Sequence, residues 1–246
     1  HDGSTAGGTP LMKEAGHSGD VIFNSVSVGK GANSVAGNTV LGLTALDAAV
    51  TGDNNTAIGK NALTDNTSGT QNVAVGSQTL EENTTGSNNV AVGHAALENG
   101  TAGSNNTGIG FASLFSNTAS SNTAVGYDSL RQNTAGSRNT AVGTGALDAN
   151  TTASRNSAVG VYSLSSNTTG TYNTAVGDSA LFANTTASNN VAVGNSVLAA
   201  NTTGANNVAV GALALDANTT GYQQTAVGTN ALGASTTGYE NTAIGY

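Results

Sequence analysis

The side chains able to carry chemistry are few and scattered. The 246 residues hold three histidines (His1, His17 and His94), fourteen Asp and Glu, six Lys and Arg, and no cysteine. General acid–base work needs a titrating group fixed beside a substrate and tuned by its neighbours. His94 instead follows a repeated glycine, Gly93, at a position where residue type varies, and reads as a surface side chain. Glu81 and Glu82 are adjacent and read as a solvated patch, not as an acid and base pair. The lack of cysteine rules out a disulfide framework and thiolate metal ligation. Gly143-Thr144-Gly145 lacks the strand-then-helix setting in which glycine-rich loops cradle phosphate, and no Gly-Gly-x-Gly-x-Asp calcium repeat occurs. The expectation is a chain that is not an enzyme and has no catalytic residue, metal or cofactor.

Aromatic and asparagine side chains are better candidates for recognition. Tyr172, Tyr222 and Tyr239 fall one or two residues before the next repeat, at what read as equivalent turn positions. Phe111, Tyr127 and Tyr246 follow a repeated glycine. Aromatic faces on a polar surface suit stacking on sugars or contact with a protein partner, and suit equally the padding of one coil by the next. Ten Asn-x-Ser/Thr sequons occur. Seven belong to an N-T-T or N-T-S turn, at Asn66, Asn83, Asn150, Asn167, Asn184, Asn201 and Asn218; the others are Asn54, Asn99 and Asn105. A turn is a place where a glycan could attach, although the motif also follows from the turn chemistry alone.

These residues are positioned by an internal repeat. Asn139 to Arg155 reads N-T-A-V-G-T-G-A-L-D-A-N-T-T-A-S-R, and its Gly143 has counterparts every 17 residues from Gly42 to Gly245, with one step of 16 between Gly110 and Gly126. An aliphatic residue precedes every one of these glycines, and leucine follows four residues later from Leu46 to Leu232. Charges such as Lys60, Asp65, Glu82, Glu98, Asp128, Arg131, Asp148, Asp178 and Asp216 fall just after the Gly or the Leu, as on a solvated outside. The single-residue deletion lies in the turn, at Asn117–Ser121, where loss of a residue is tolerated.

Short β-branched stretches such as Thr140-Ala141-Val142 predict strands; helical solenoid units need about 33 residues or more. Alternation puts Thr140 and Val142 on one face and Ala141 on the other. We expect the aliphatic face to be the core and the small face to admit another backbone. Asn72, Asn89, Asn106 and Asn122 would stack from coil to coil as an amide ladder. The predicted fold is all-β, a parallel β-roll of 17-residue coils over residues 21–246, behind an extended or disordered lead-in over residues 1–20. Two large aliphatics per coil are few against the entropy of ordering 17 residues, which argues for self-association.

Composition limits the partners. Only 8% of residues are charged, against about 25% in ordinary domains, and the net charge is −8. Six basic residues, none adjacent, make no nucleic-acid surface. No apolar run approaches the roughly 18 residues of a membrane span, and no secretory leader is visible. A start at His1 and a last repeat without a polar cap point to a piece of something longer, or to coils that stack end to end.

The units N-T-A-I-G (Asn55–Gly59), N-V-A-V-G (Asn72–Gly76) and N-T-A-V-G (Asn139–Gly143) resemble the head repeats of trimeric autotransporter adhesins, the YadA-like family, and repeats of phage tail fibres. Val26–Gly42, with its 13-residue step between glycines, is most similar to the family pattern; the array's 17 residues exceed the family's usual repeat of about 14. The resemblance implies a left-handed β-solenoid wound as a homotrimeric fibre. It also implies an extracellular place on a cell surface or virion, and attachment to a host-surface glycan or protein receptor. The rival expectations are a self-assembling, glycosylated filament subunit and, more remotely, an ice-binding solenoid, which the lack of a T-x-T face disfavours.

Overall fold

Each coil turns at its repeated glycine, and no other residue fits there. In the computed structural model, which describes residues 13–14 and 20–246, these glycines from Gly59 to Gly245 hold φ between +126° and +140°. That region is closed to side chains, and a Cβ on Gly143 would run into the Gly160 carbonyl of the next coil. The turn then closes on leucine, which takes the left-handed conformation in every coil, φ +49° to +54° from Leu46 to Leu232. Such a backbone costs a residue with a Cβ about 1–2 kcal/mol. Full burial of the leucine side chain, from Leu46 to Leu215, offsets it.

The result is a parallel β-solenoid. After β1 (Lys13–Glu14), β2 (Val21–Phe23), β3 (Val26–Gly29) and β4 (Thr39–Gly42), one three-residue strand recurs per coil, from β5 (Thr56–Ile58) to β16 (Thr242–Ile244). From β4 onward each strand pairs in parallel with the next in chain order, the strand alanines in register, as Ala141 with Ala124 and Ala158. The 16-residue step leaves this register intact, with Thr107 opposite Thr123 and Ile109 opposite Val125.

The beginning departs from the array. β1 to β4 pair antiparallel, and coils start only at β4. The stretch Val26–Gly42, expected to be the most family-like coil, is a strand and an antiparallel return. Buried Asp20 fixes the turn, its carboxylate accepting the Lys30 and Gly31 N–H groups at 2.6 and 2.9 Å. The lead-in expected over residues 1–20 lies outside the described residues, apart from Lys13–Glu14 and Asp20.

The strand faces are inverted relative to expectation. Ala141 is wholly buried, Thr140 is half-buried and Val142 is exposed, and the same alternation holds in neighbouring coils. The coil is too thin for a larger strand residue, because leucine and two asparagine columns already fill it. At Gly108, which replaces the alanine, even a Cβ would lie 3.1 Å from Ser113 Oγ and 3.4 Å from Leu97 Cδ1.

The asparagine columns carry the sheet bonding around the corners. In the column before the strands, side-chain Oδ1 accepts the backbone N–H of its counterpart one coil on, from Asn38–Asn55 (2.8 Å) to Asn207–Gln224 (3.0 Å). Its Nδ2 donates to a turn carbonyl, as Asn139 to Ala153 O at 2.8 Å. The expected amide ladder is therefore present, with backbone N–H as its usual donor. In the second column, amide meets amide: Asn150 Nδ2 donates to Asn133 Oδ1 (2.8 Å) and to Ala153 O (3.0 Å).

Candidate functional site

Turning alanine inward turns valine and isoleucine outward. Thirteen parallel strands, Thr39–Gly42 to Thr242–Ile244, present one column of Leu, Val and Ile from Leu41 to Ile244 and, two residues earlier, one of Thr, Val and Ser. At about 4.8 Å per strand, this strip runs roughly 60 Å. Val142, Val159 and Val176 remain 37%, 39% and 38% exposed even between their neighbours. A continuous apolar strip of this kind is a candidate interaction surface. The leucines are the ladder that lies inside.

A second feature lies on the turn after the glycine, where side chains one coil apart fall in column. His94, Phe111 and Tyr127 stack, with centroids 5.4 and 5.2 Å apart and planes within 11°. Phe111 lies between the other two rings, so both its faces are covered although it is 47% exposed, while Tyr127 ends the stack and is 54% exposed. Four residues on, Arg131 sits over the Phe115 ring at 5.7 Å and pairs with Asp128 at 3.5 Å. Glu98 lies one coil beyond Glu81. Partial burial, then repulsion from Glu81, raises its carboxyl above the ordinary value of 4.5, against a lowering by His94. Burial and Asp128 likewise raise Asp148 above 3.8, while Arg131 opposes them. Sequence reading missed both pairs, although Glu81 and Glu98 stand 17 apart and so share a column.

The three turn tyrosines do not form one row. Tyr222 and Tyr239 stack at 5.4 Å. Tyr172 belongs to the adjacent column, where Arg155 lies over its ring at 5.2 Å and donates a hydrogen bond to its hydroxyl. Tyr162, not foreseen as a site residue, lays its ring over Gly145, where a Cβ would clash with it.

The sequon asparagines are corrected more sharply. Asn66, Asn83, Asn150, Asn167, Asn184, Asn201 and Asn218 all lie inside the coil. Nδ2, the atom that would carry a glycan, is committed to hydrogen bonds in each, as Asn167 to Asn150 Oδ1 (3.1 Å) and Gly170 O (3.0 Å). The folded coil has no room for a sugar there. Asn54 and Asn105 are exposed and Asn99 half-buried.

Among the described residues, no group of three or more His, Cys, Asp or Glu could hold a metal ion, and no helix is long and apolar enough to cross a membrane. Comparison with protein-family models, curated proteins and solved structures finds no match.

Proposed function

We propose that the chain is a structural and adhesive segment of an extracellular fibre, assembled as a homotrimer through its outward Val/Ile strip, without catalytic activity. The strip is the observation that carries this reading: an apolar surface one strand wide and thirteen strands long needs a cover of the same shape, and another copy supplies one. The association surface is then the aliphatic side of the strand and not the alanine side, which is buried within the coil. Within a left-handed trimer, three chains would present each turn column in triplicate, so that weak contacts with a host glycan or protein receptor add up. Phe111, Tyr127, Tyr172, Tyr222 and Tyr239, all exposed, are the side chains offered for such contact. A place on a cell surface or virion fits the low charge and the lack of cysteine.

The test is the native mass, measured beside the denatured mass. A particle near three times 23.8 kDa supports the trimer. A monomer, or a polymer without fixed size, refutes it.

A further inference from the structure

The coil-to-coil bonding fails at one junction in three columns at once. In the inner amide column, the position midway between Asn83 and Asn117 is Gly100. Elsewhere each inner Asn donates to the one before, as Asn83 to Asn66 and Asn133 to Asn117; Gly100 breaks the column on both sides, leaving buried Asn83 Oδ1 without a partner at the junction before it and Asn117 Nδ2 with only Ala119 O, and no amide, at the junction after it. The turn backbone repeats the gap. Thr84 N–H donates to Thr101 O at 2.8 Å and Thr118 N–H to Thr134 O at 3.2 Å, but among the described residues no such bond joins Thr101 to Thr118. The threonine hydroxyls do the same: Thr84 reaches Thr101 O and Thr118 reaches Thr134 O, at 2.8 and 2.7 Å, and no hydroxyl rung links Thr101 to Thr118. The coil that follows is the one of 16 residues.

At the other corner of these coils stand the ring contacts. His94–Phe111 bridges the interrupted junction, and Phe111–Tyr127 and Phe115–Arg131 bridge the next one. From Gly143 to Gly211 every rung of the three columns is made; Arg155 lies over the Tyr172 ring there, but no two rings stack among the described residues of that block.

We infer that the junction between the Gly93 and Gly110 coils is a built-in opening point dividing the array into two blocks, and that the His94–Phe111–Tyr127 stack is the clasp that limits its opening. Local opening follows the density of cross-links, and each missing rung removes one. Bonds crossing the junction beside the gap, Asn99 N–H to Phe115 O and Ser121 N–H to Ser104 O, then break more often than their counterparts at Ser166 and Asn189.

Amide hydrogen exchange of the native protein, read over residues 95–122 and 163–190, tests this. The first segment is expected to exchange on the order of tenfold faster at its hydrogen-bonded amides. Phe111→Ala should raise that rate further and leave 163–190 unchanged, while Tyr239→Ala should leave 95–122 unchanged. Equal exchange of the two segments in the unaltered protein overturns the opening point, whether or not the variants fold. A Phe111→Ala effect spread evenly along the array, or none at all, overturns the clasp. Neither outcome depends on the oligomeric state.

Discussion

Replacing Val142, Val159 and Val176 together by serine separates folding from assembly. Within one chain these side chains project from the sheet and are 37–39% exposed, so their loss leaves the coil interior untouched. Burying a whole valine contributes about 1.5–3 kcal/mol, so covering the exposed two-fifths contributes roughly 0.6–1.2 kcal/mol each. Three per chain give about 2–3.5 kcal/mol, and the proposed trimer would lose about three times that, a factor on the order of 10⁴ or more in its association constant. Sedimentation velocity at micromolar protein should therefore show dissociated chains, with circular dichroism still of strand type. Ala141→Val is the counterpart: a gain of only two methyl groups, but inside, where overpacking costs about 1–3 kcal/mol. It should lower the unfolding midpoint while the outward serines hardly change that of the free chain. If the serine variant stays assembled, or is destabilised as much as the alanine-to-valine variant, the assignment of inside and outside is wrong.

Asn167→Ala leaves Asn150 Oδ1 without its donor and takes from Asn184 Nδ2 one of its two acceptors, the other being Ala187 O, while the Gly170 carbonyl keeps Asn156 Nδ2; at about 1–3 kcal/mol per orphaned group, urea unfolding should shift by roughly 2–4 kcal/mol. Glu98 titrates above its ordinary 4.5 in the folded chain, so the stability linked to its protonated form is complete below that pH and is lost as pH rises through the raised value. Glu98→Gln should accordingly raise the thermal midpoint at pH 7 and flatten its decline from about pH 4 upward, while a parallel decline retained in the variant would assign it elsewhere.

The 17-residue spacing made the leucine column and the amide columns legible, because a column needs only a period. It could not say which strand face is interior. Alternation groups Thr140 with Val142 against Ala141 but is symmetric about the sheet, and preference for burying the larger side chain chose the wrong side. What decides is the width of the coil, set by leucine and two asparagines that come from other parts of the repeat. The same blindness misplaced Asn167 and its counterparts: N-T-T reads as an exposed turn, and only the fold reveals that the first residue bends inward while the second threonine stays out. Tyr172 was grouped with Tyr222 and Tyr239 because a difference of one residue is invisible in a loose turn motif, although in a solenoid it changes the column.

The register that survives the 16-residue step has a bearing on size. A lost residue is absorbed at the far corner of the coil while the strands stay opposite one another, so contour and reach are separate quantities. Whole units such as Val161–Gly177 meet their neighbours through the same bonds on either side. Adding or removing one would move everything beyond it by a single strand spacing, about 4.8 Å, and would change no contact elsewhere. Distance along this molecule is thus counted in integers, and a genome can set it by unequal exchange between near-identical copies without inventing a new side chain.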